Sequence, residues 1–286
     1  MTCMSSSAII YQKALLQNRK LQEYVFEHKE GSNKLAIIID PRYDVIMEAV
    51  IQNFMFFMNP CGWNLLIMSS NFYQKQIIQR FPKCLFRPIK SEMIHFDPNG
   101  VPNISIDSYN KILLDVDFWK SLTSEHICIF QKDCIMFKMF PEYFLWYAFS
   151  GANWYTKDIS LFNEGVNGGF SIRNRQAMIE CIEKITFTEI EKYRQDALNN
   201  TSAIFRNIKR DFLMKPLKKN EDVFFTYACE MMNKLMPDVI HRSFLAIEAI
   251  FNPNTCVYHG LQYNYHNAHM ATMMLLNSTL FSNEQQ

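Results

Sequence analysis

Short, fully apolar runs alternate with helical patterns along the first half of the chain. Residues 35–39 and 63–68 are runs of this kind, and residues 127–130 form a third. Such continuous runs are typical of strands in a parallel sheet that is covered on both faces. Residues 44–58 repeat their apolar positions at helical spacing until Pro60 interrupts the pattern. The order of strand, helix and strand predicts a doubly wound α/β fold, with a mixed, mostly parallel central sheet flanked by helices.

The remaining segments are predicted to be helices or loops. Helical patterns cover residues 5–28, 73–80, 108–123 and 188–219. A polar, proline-containing stretch that ends at Pro102 is predicted to be a loop. Aromatic residues become dense after residue 140. We therefore divide the chain into an N-terminal helical segment and two halves of one domain, at residues 1–33, 34–140 and 141–286.

Composition indicates a globular protein and excludes several classes of function. Of the 286 residues, 49% are hydrophobic and 20% are charged, which is typical of a chain that buries a core. The formal net charge is +1 and there is no basic block, so no nucleic-acid partner is expected. No signal peptide and no apolar stretch of roughly 20 residues, the length that crosses a bilayer, is visible. The eight cysteines are scattered without a CxxC pair, which predicts a reducing compartment and a cytoplasmic protein.

Polar side chains follow three of the predicted strands. Asp40 and Arg42 come directly after the first strand, Asn71 follows the second, and Gln131 and Asp133 follow the third. The carboxyl ends of parallel strands meet at one edge of an open sheet, where α/β proteins bind their ligands. We therefore expect these five side chains to gather at that edge.

One of these residues, Asp133, is a candidate metal ligand. A carboxylate at a strand end can hold a divalent ion that bridges two phosphates, although an ordinary turn or cap also uses aspartate there. His259 lies near the C-terminus in a predicted loop, where a neutral imidazole could complete such a site. The sequence thus predicts a Mn²⁺ or Mg²⁺ site at Asp133 and His259.

Two adjacent acids, Glu221 and Asp222, precede an apolar helical pattern. Acids in the first turn of a helix interact favourably with the helix dipole, so helix capping alone explains the pair. The second interpretation is chemical: one acid accepts a proton from the hydroxyl group of a substrate. Asp222 is then the first choice for this base and Glu221 is the substitute.

A glycine-rich segment and one aromatic residue are candidates for contact with a sugar ring. Asn167, Gly168 and Gly169 predict a tight turn before a strand, and glycines would also let a ligand approach the backbone closely. Trp154 ends an aromatic run, most of which should be core. Its ring could offer an apolar face to a sugar.

The order of these segments resembles a family of largely uncharacterised proteins with a GT-A-type glycosyltransferase domain. The similarity extends from residue 35 to residue 260 and rests on short segments in a fixed order. They are Asp40-Pro41-Arg42, Ser108-Tyr109-Asn110, Phe118-Trp119, Ile129-Phe130-Gln131-Lys132-Asp133, Gly151-Ala152-Asn153-Trp154, Asn167-Gly168-Gly169-Phe170-Ser171-Ile172-Arg173, Glu221-Asp222-Val223-Phe224-Phe225, residues 244–248 and Tyr258-His259-Gly260. Two positions depart from the usual pattern: Gln131 replaces an acid of the metal motif, and Asn153 replaces a proline.

The resemblance implies a glycosyltransferase that moves a sugar from a nucleotide-diphosphate donor, linked to UDP, GDP or dTDP, to a glycan or other hydroxyl acceptor. It implies that Asp133 represents the acidic metal motif and that Glu221-Asp222 is the pair from which inverting members draw their base. Residues 34–140 would bind the nucleotide sugar, and residues 141–286 the acceptor. We expect donor-binding residues at Asp40, Arg42, Asn71, Tyr109, Asn110, Gln131 and Asp133, and a sugar and acceptor pocket at Trp154, Asn167, Gly168 and Gly169.

Two other functions stay open at the level of the sequence. A non-catalytic module that binds nucleotide sugars or glycans on the same fold is favoured by Gln131, because one carboxylate of the metal motif is missing. A metal-dependent nuclease or nucleotidyltransferase built on the scattered acids is the second alternative. The lack of a basic pattern argues against long nucleic acids as its substrates.

Overall fold

The computed structural model describes residues 15–153, 165–200, 217–248, 252 and 254–260. We number the strands and helices of these ranges in chain order. The strands are β1 (Lys34–Ile39), β2 (Asn64–Ser69), β3 (Leu85–Pro88), β4 (Ile94–Phe96), β5 (Pro102–Ile104), β6 (His126–Phe130), β7 (Ile135–Met136), β8 (Phe149–Asn153), β9 (Val166–Asn174), β10 (Ala246–Ile247) and β11 (Val257–Tyr258). The α-helices are α1 (Arg19–Gln22), α2 (Val45–Met58), α3 (Gln74–Arg80), α4 (Ile106–Leu113), α5 (Val116–Lys120), α6 (Arg175–Lys184), α7 (Phe187–Asn200), α8 (Glu221–Met231) and α9 (Val239–Leu245).

A six-stranded sheet with the strand order β3-β2-β1-β6-β9-β8 forms the centre of the fold. Its first four strands are parallel neighbours. Strand β9 runs in the opposite direction and pairs antiparallel with both β6 and β8. The predicted α/β class with a mixed, mostly parallel sheet is therefore confirmed.

The two faces of the central sheet bury separate apolar cores. Ile38 and Phe130 belong to one core, where the ring of Phe54 from α2 stacks on Phe130 with 4.2 Å between centroids. Ile37 belongs to the opposite core, together with Trp119 from α5. Successive residues of a strand point to opposite faces, so a strand covered on both sides must be apolar at every position. This explains the continuous apolar runs that marked β1 and β6 in the sequence.

Side-chain caps determine where two of the helices begin. Asp44 Oδ1 accepts hydrogen bonds from the backbone amides of Ile46, at 3.1 Å, and Met47, at 2.9 Å, where α2 starts. Asn174 accepts from the amide of Ala177 at 2.9 Å, where α6 starts. These amides have no carbonyl partner within their own helices, so the caps satisfy them. Because Asn174 is also the last residue of β9, the cap makes the change from strand to helix abrupt.

Two predicted helices have different bounds in the structure. The helix expected over residues 108–123 is divided into α4 and α5, because Asp115 caps a second helix and accepts a hydrogen bond from the amide of Asp117 at 2.9 Å. The helix expected to reach residue 28 ends at Gln22 in the described residues. The Asn18 side chain caps the start of α1, so the helix that ends at Gln22 is short.

Two predicted loops contain strands. The polar stretch before Pro102 includes β3, which pairs only with β2 and is partly exposed, so it lacks the apolar run of a central strand. It also includes the β4–β5 hairpin. The turn expected at Asn167, Gly168 and Gly169 is instead part of β9. The glycines there serve close packing, as described below, and do not reverse the chain.

A smaller, three-stranded sheet contains the strands next to the two candidate metal ligands, Asp133 and His259, along the chain. Strand β11 is parallel to β10 and antiparallel to β7. The fully buried side chain of Asn53 anchors β7, because its Nδ2 donates to the carbonyl of Met136 at 2.9 Å and its Oδ1 accepts from the amide of Met136 at 2.8 Å. Strand β7 follows Asp133 closely along the chain, and His259 directly follows β11.

None of the helices in the described ranges has both the length and the apolar composition that a membrane-spanning helix requires.

We expect Asn53→Ala to destabilise the protein by about 2–4 kcal/mol, because it leaves both backbone groups of Met136 buried without partners. The measurement is the free energy of unfolding in urea. Val45→Ala is the matched control, since Val45 lies in the same helix with 60% of its surface exposed. This control should change stability by less than about 0.5 kcal/mol. Equal losses in both variants would contradict the anchoring role of Asn53.

Candidate active site

The carboxyl ends of the parallel strands and the start of β9 meet at one edge of the central sheet. Asp40 follows β1, Asn71 lies after β2, and Gln131 follows β6. Because β9 runs antiparallel to β6, its first residues, including Gly168 and Gly169, lie at the same edge. The side chains that follow the predicted strands therefore reach one side of the molecule, together with a segment from the second half of the chain.

Asp133 and His259 are neighbours at this edge, although they are far apart in the sequence. Asp133 Oδ1 lies 3.6 Å from His259 Nε2, and the two side chains are 20% and 8% exposed. Gln131 Oε1 lies 3.4 Å from the same nitrogen. The other ring nitrogen of His259, Nδ1, is buried and has no hydrogen-bond partner in the described part of the chain. The imidazole thus directs Nε2 towards two side-chain oxygens.

Gly169 provides the space for this arrangement. A Cβ atom at this position would overlap the His259 imidazole and lie 2.7 Å from Gln131 Oε1. The amide of Gly169 donates to Asn167 Oδ1 at 2.7 Å. Glycine is therefore required here because the histidine ring packs against the backbone, and Asn167 holds that backbone in place.

Cys134 completes a cluster of possible ligand atoms with Asp133 and His259, which lie within 4.8 Å of one another. Its buried thiol donates to the carbonyl of Gly169 at 3.4 Å. Burial raises the pKa of this thiol well above its ordinary value. Sulfur ligands favour softer metals, whereas Mg²⁺ and Mn²⁺ favour oxygen ligands, so the candidate donor atoms for a hard divalent ion are the carboxylate of Asp133 and the imidazole of His259.

Glu248 is a further acid at this site to which the sequence assigned no role. Its Oε2 accepts a hydrogen bond from Asn167 Nδ2 at 3.1 Å. Burial raises the pKa of this carboxyl, and the nearby His259 opposes the shift. Glu248 directly follows β10, a strand of only two residues, so no pattern of strand or helix marked its position. The site thus contains a partly buried carboxyl whose placement depends on long-range packing.

Glu221 forms a buried ion pair with Arg173 on β9. Arg173 Nη1 donates to Glu221 Oε2 at 2.6 Å and Nη2 donates to Oε1 at 3.0 Å, while the two side chains are 0% and 4% exposed. The amide of Glu221 also donates to Asn110 Oδ1 at 3.0 Å. Arg173 therefore engages both carboxylate oxygens of Glu221, the residue that the sequence offered as the substitute base.

Asp222 is the second residue of α8 and is half-buried. The amide of Val223 donates to Asp222 Oδ1 at 2.8 Å, and the carbonyl of Asp222 accepts from Thr226 Oγ1 at 2.8 Å. Glu221, the preceding residue, lies against Gly168, where a Cβ atom would overlap Glu221 Oε1. The two adjacent glycines therefore connect the start of α8 with the Asp133–His259 pair.

Asp40 and Arg42 pair with each other at the end of β1. Arg42 donates from Nε to Asp40 Oδ1 at 2.9 Å and from Nη2 to Oδ2 at 2.8 Å. The Asp40 carboxylate, and to a smaller extent Asp44 and Asp133, raises the pKa of Arg42. Lys132 Nζ contacts Asp44 Oδ2 at 2.5 Å. Two cations, Arg42 and Lys132, thus accompany the acids at this edge of the sheet.

The other expected site residues lie at different distances from this cluster. The buried hydroxyl of Tyr109 faces Gln131 and Glu221, and burial raises its pKa. Asn110 supports the start of α8 through its bond with Glu221. Asn71 is exposed at the start of a short 3₁₀-helix, Asn71–Tyr73, after β2. Trp154 lies outside the described residues.

Residues 90–261 match a family described as a protein of unknown function, DUF5672, and the chain belongs to this family. The expectation of a largely uncharacterised family is thereby confirmed. No curated protein matches the sequence.

Several solved structures of glycosyltransferases are similar to the chain. One is the galactosyltransferase LgtC in complex with donor and acceptor sugar analogues, with 8% identity, coverage of 86% of this chain and 96% of LgtC, and a TM-score of 0.47. A second is mouse xyloside xylosyltransferase 1 in its apo form, with 10% identity, coverage of 79% and 97%, and a TM-score of 0.46. A third is apo GlyE of Streptococcus pneumoniae TIGR4, with 9% identity, coverage of 86% and 63%, and a TM-score of 0.38.

We expect Gly168→Ala to destabilise the protein by about 2–4 kcal/mol, because the added methyl group would displace a buried, ion-paired carboxylate. The free energy of unfolding in urea measures this loss. Gly62→Ala is the control: its position has a φ of +85° but open space around it, so only backbone strain of about 1 kcal/mol is expected. A loss at Gly168 no larger than that at Gly62 would contradict the close packing of Glu221.

Proposed function

We propose that the protein is a metal-assisted glycosyltransferase that moves a sugar from a nucleoside-diphosphate donor to a hydroxyl acceptor. The observation that supports this most directly is the Asp133–His259 pair at the carboxyl edge of the sheet, 3.6 Å apart and packed on Gly169. A carboxylate and an imidazole from distant parts of the chain form a donor set that suits Mn²⁺ better than Mg²⁺. Gln131 adds a neutral amide oxygen where a second acid is usual.

In this proposal Asp133 and His259 would hold the metal ion, and the bound ion would supply positive charge to offset the negative charge of a leaving diphosphate. Arg42 and Lys132, which pair with Asp40 and Asp44 at the same edge, contribute positive charge towards the donor. Asp40 orients Arg42 through its two hydrogen bonds. The nucleotide of the donor is UDP, GDP or dTDP, and a glycan or another hydroxyl compound is the acceptor.

We assign the base to Asp222, since Glu221 is held by Arg173. Asp222 would accept the proton of the acceptor hydroxyl as its oxygen attacks the sugar from the side opposite the diphosphate. Such an attack inverts the anomeric centre. Asn167, Gly168 and Gly169 would form the backbone surface against which the sugar lies, and Trp154 is proposed to contact the acceptor.

A binding module without catalytic activity is the second candidate function. It is favoured by Gln131, because an amide binds a divalent cation more weakly than a carboxylate does. A thermal-shift series with UDP, GDP and dTDP sugars, with and without Mn²⁺, distinguishes the two functions when it is combined with donor hydrolysis and transfer assays. Stabilisation by a nucleotide sugar with no turnover would favour the binding module.

We expect Asp133→Asn and His259→Ala each to weaken Mn²⁺ binding by at least about tenfold, because the first replaces a carboxylate with a more weakly binding amide and the second removes the imidazole. Isothermal titration calorimetry with Mn²⁺ alone measures the change. Cys134→Ser is the matched control: the serine hydroxyl can still donate to the Gly169 carbonyl, and Mn²⁺ favours oxygen ligands over sulfur, so the Kd for Mn²⁺ should stay within about threefold. Unchanged binding in Asp133→Asn would contradict the metal assignment.

We expect Asp222→Asn to reduce kcat for sugar transfer by about 10²–10⁴-fold while the Kd for Mn²⁺ stays unchanged, because only the proton acceptor is lost. Asp117→Asn is the control, since Asp117 is also a first-turn acid of a helix but is exposed on α5. Full transfer activity in Asp222→Asn would refute the base assignment. The anomeric configuration of the product, determined by NMR, tests inversion separately.

A further inference from the structure

Arg173 is a fully buried cation whose polar and apolar contacts together fix its orientation. Both Nη atoms donate to Glu221, and Nε donates to Ser171 Oγ at 2.9 Å. The guanidinium carbon lies 4.8 Å from the ring centroid of Phe149 and 5.4 Å from that of Phe225. Burying two charges is costly, and an apolar pair of similar volume is often equally stable or more so. Stability alone therefore does not account for this pair.

The ion pair connects the start of α8 to the first part of β9. Glu221 Oε1 lies where a side chain at Gly168 would be, and Arg173 Nη2 reaches the carbonyl of Gly168 at 3.5 Å. Ser171 Oγ donates to the same carbonyl at 3.2 Å. These contacts are directional, so they fix the first residue of α8 relative to the backbone of Gly168 in position and in rotation.

The next residue on each side of this connection belongs to the proposed catalytic machinery. Asp222, the proposed base, follows Glu221. Gly169 follows Gly168 and packs against His259. A shift of Glu221 relative to Gly168 would therefore change the distance between the base and the metal ligands. Misplacement of reacting groups by a single ångström can cost two orders of magnitude in rate.

We propose that Arg173 is a positioning residue: through its bidentate pair with Glu221 it sets the place of Asp222 relative to Asp133 and His259. This inference rests on the proposed transferase function. Arg173 does not touch the substrate in this scheme, and Glu221 transmits its effect to the start of α8.

The test replaces both members of the pair, so that no charge is left buried alone. In Arg173→Met/Glu221→Met we expect kcat for sugar transfer to fall at least about tenfold, while the donor KM and the Mn²⁺ Kd stay within about threefold. The amides of Gly169 and Glu221, which donate to Asn167 and Asn110, should exchange with deuterium faster than in the wild type. Arg173→Lys keeps the positive charge but cannot form the bidentate pair with Glu221, so this variant should retain part of kcat.

Arg194→Met is the matched control. Arg194 is also buried and ion-paired, in this case with Glu191, and its guanidinium lies 5.7 Å from the ring of Tyr227, which is five residues after Asp222 in α8. We expect this variant to lose thermal stability without a change in kcat. An equal loss of kcat in Arg194→Met, or wild-type kcat in the double variant, would overturn the proposal. If the double variant does not fold, kcat is compared between Arg173→Lys and Arg194→Met instead. An equal loss of kcat in these two variants, or wild-type kcat in Arg173→Lys, would overturn the proposal.

The failure of the proposed function is distinguishable from the failure of this inference. If the wild-type protein turns over no nucleotide sugar, the transferase function is wrong, and hydrogen exchange alone decides the positional role. Unchanged exchange at Gly169 and Glu221 in the variant would then reject it. Normal turnover in the wild type, together with a parallel loss of kcat, KM and Mn²⁺ binding in the variant, would show a general structural role instead.

Discussion

The site depends on the close approach of two side chains to neighbouring glycines of β9. Glu221 packs against Gly168, and His259 packs against Gly169. Neither approach is possible if β9 carries a side chain at these positions. Glu221 and His259, which are distant from each other and from these glycines in the sequence, therefore meet on a short piece of backbone. This piece determines their relative positions more strictly than a flexible loop would.

Burial gives the two acids at the start of α8 different surroundings. In the sequence, both acids are candidates for a helix cap or a base, with Asp222 as the first choice for the base and Glu221 as the substitute. In the structure, Glu221 points inward and meets a guanidinium that aromatic rings enclose, whereas Asp222 is half-buried at the helix start. Arg173 engages both carboxylate oxygens of Glu221 in a bidentate pair. This pair supports the proposal that Asp222, and not Glu221, is the base, and the sequence pattern alone did not reveal it.

The sequence was sufficient for the features that depend on local order. Strands β1, β2 and β6 were predictable because burial on both faces makes their central positions apolar, and α2 was predictable from its period and the cap at Asp44. Strand β3 was not, because within the described residues it lies at the edge of the sheet, pairs with β2 alone and needs no apolar run. Glu248 and the contacts of Arg173 were not predictable either, since they depend on which distant segments pack together. The pairing of Asp133 with His259 was expected as a hypothesis, and the distance between them agrees with it, while their chemical roles stay proposals.

The reversed direction of β9 has a consequence for how this family can diversify. Strand β8 pairs antiparallel with β9, and Asn153 faces Val166 at the ends of the two strands. The connection between them therefore starts and finishes at the edge where the site lies. A change of length between Asn153 and Val166 would therefore leave every pair of the central sheet that precedes it in place, and the chain would still leave and re-enter the sheet at the edge that carries Asp133 and His259.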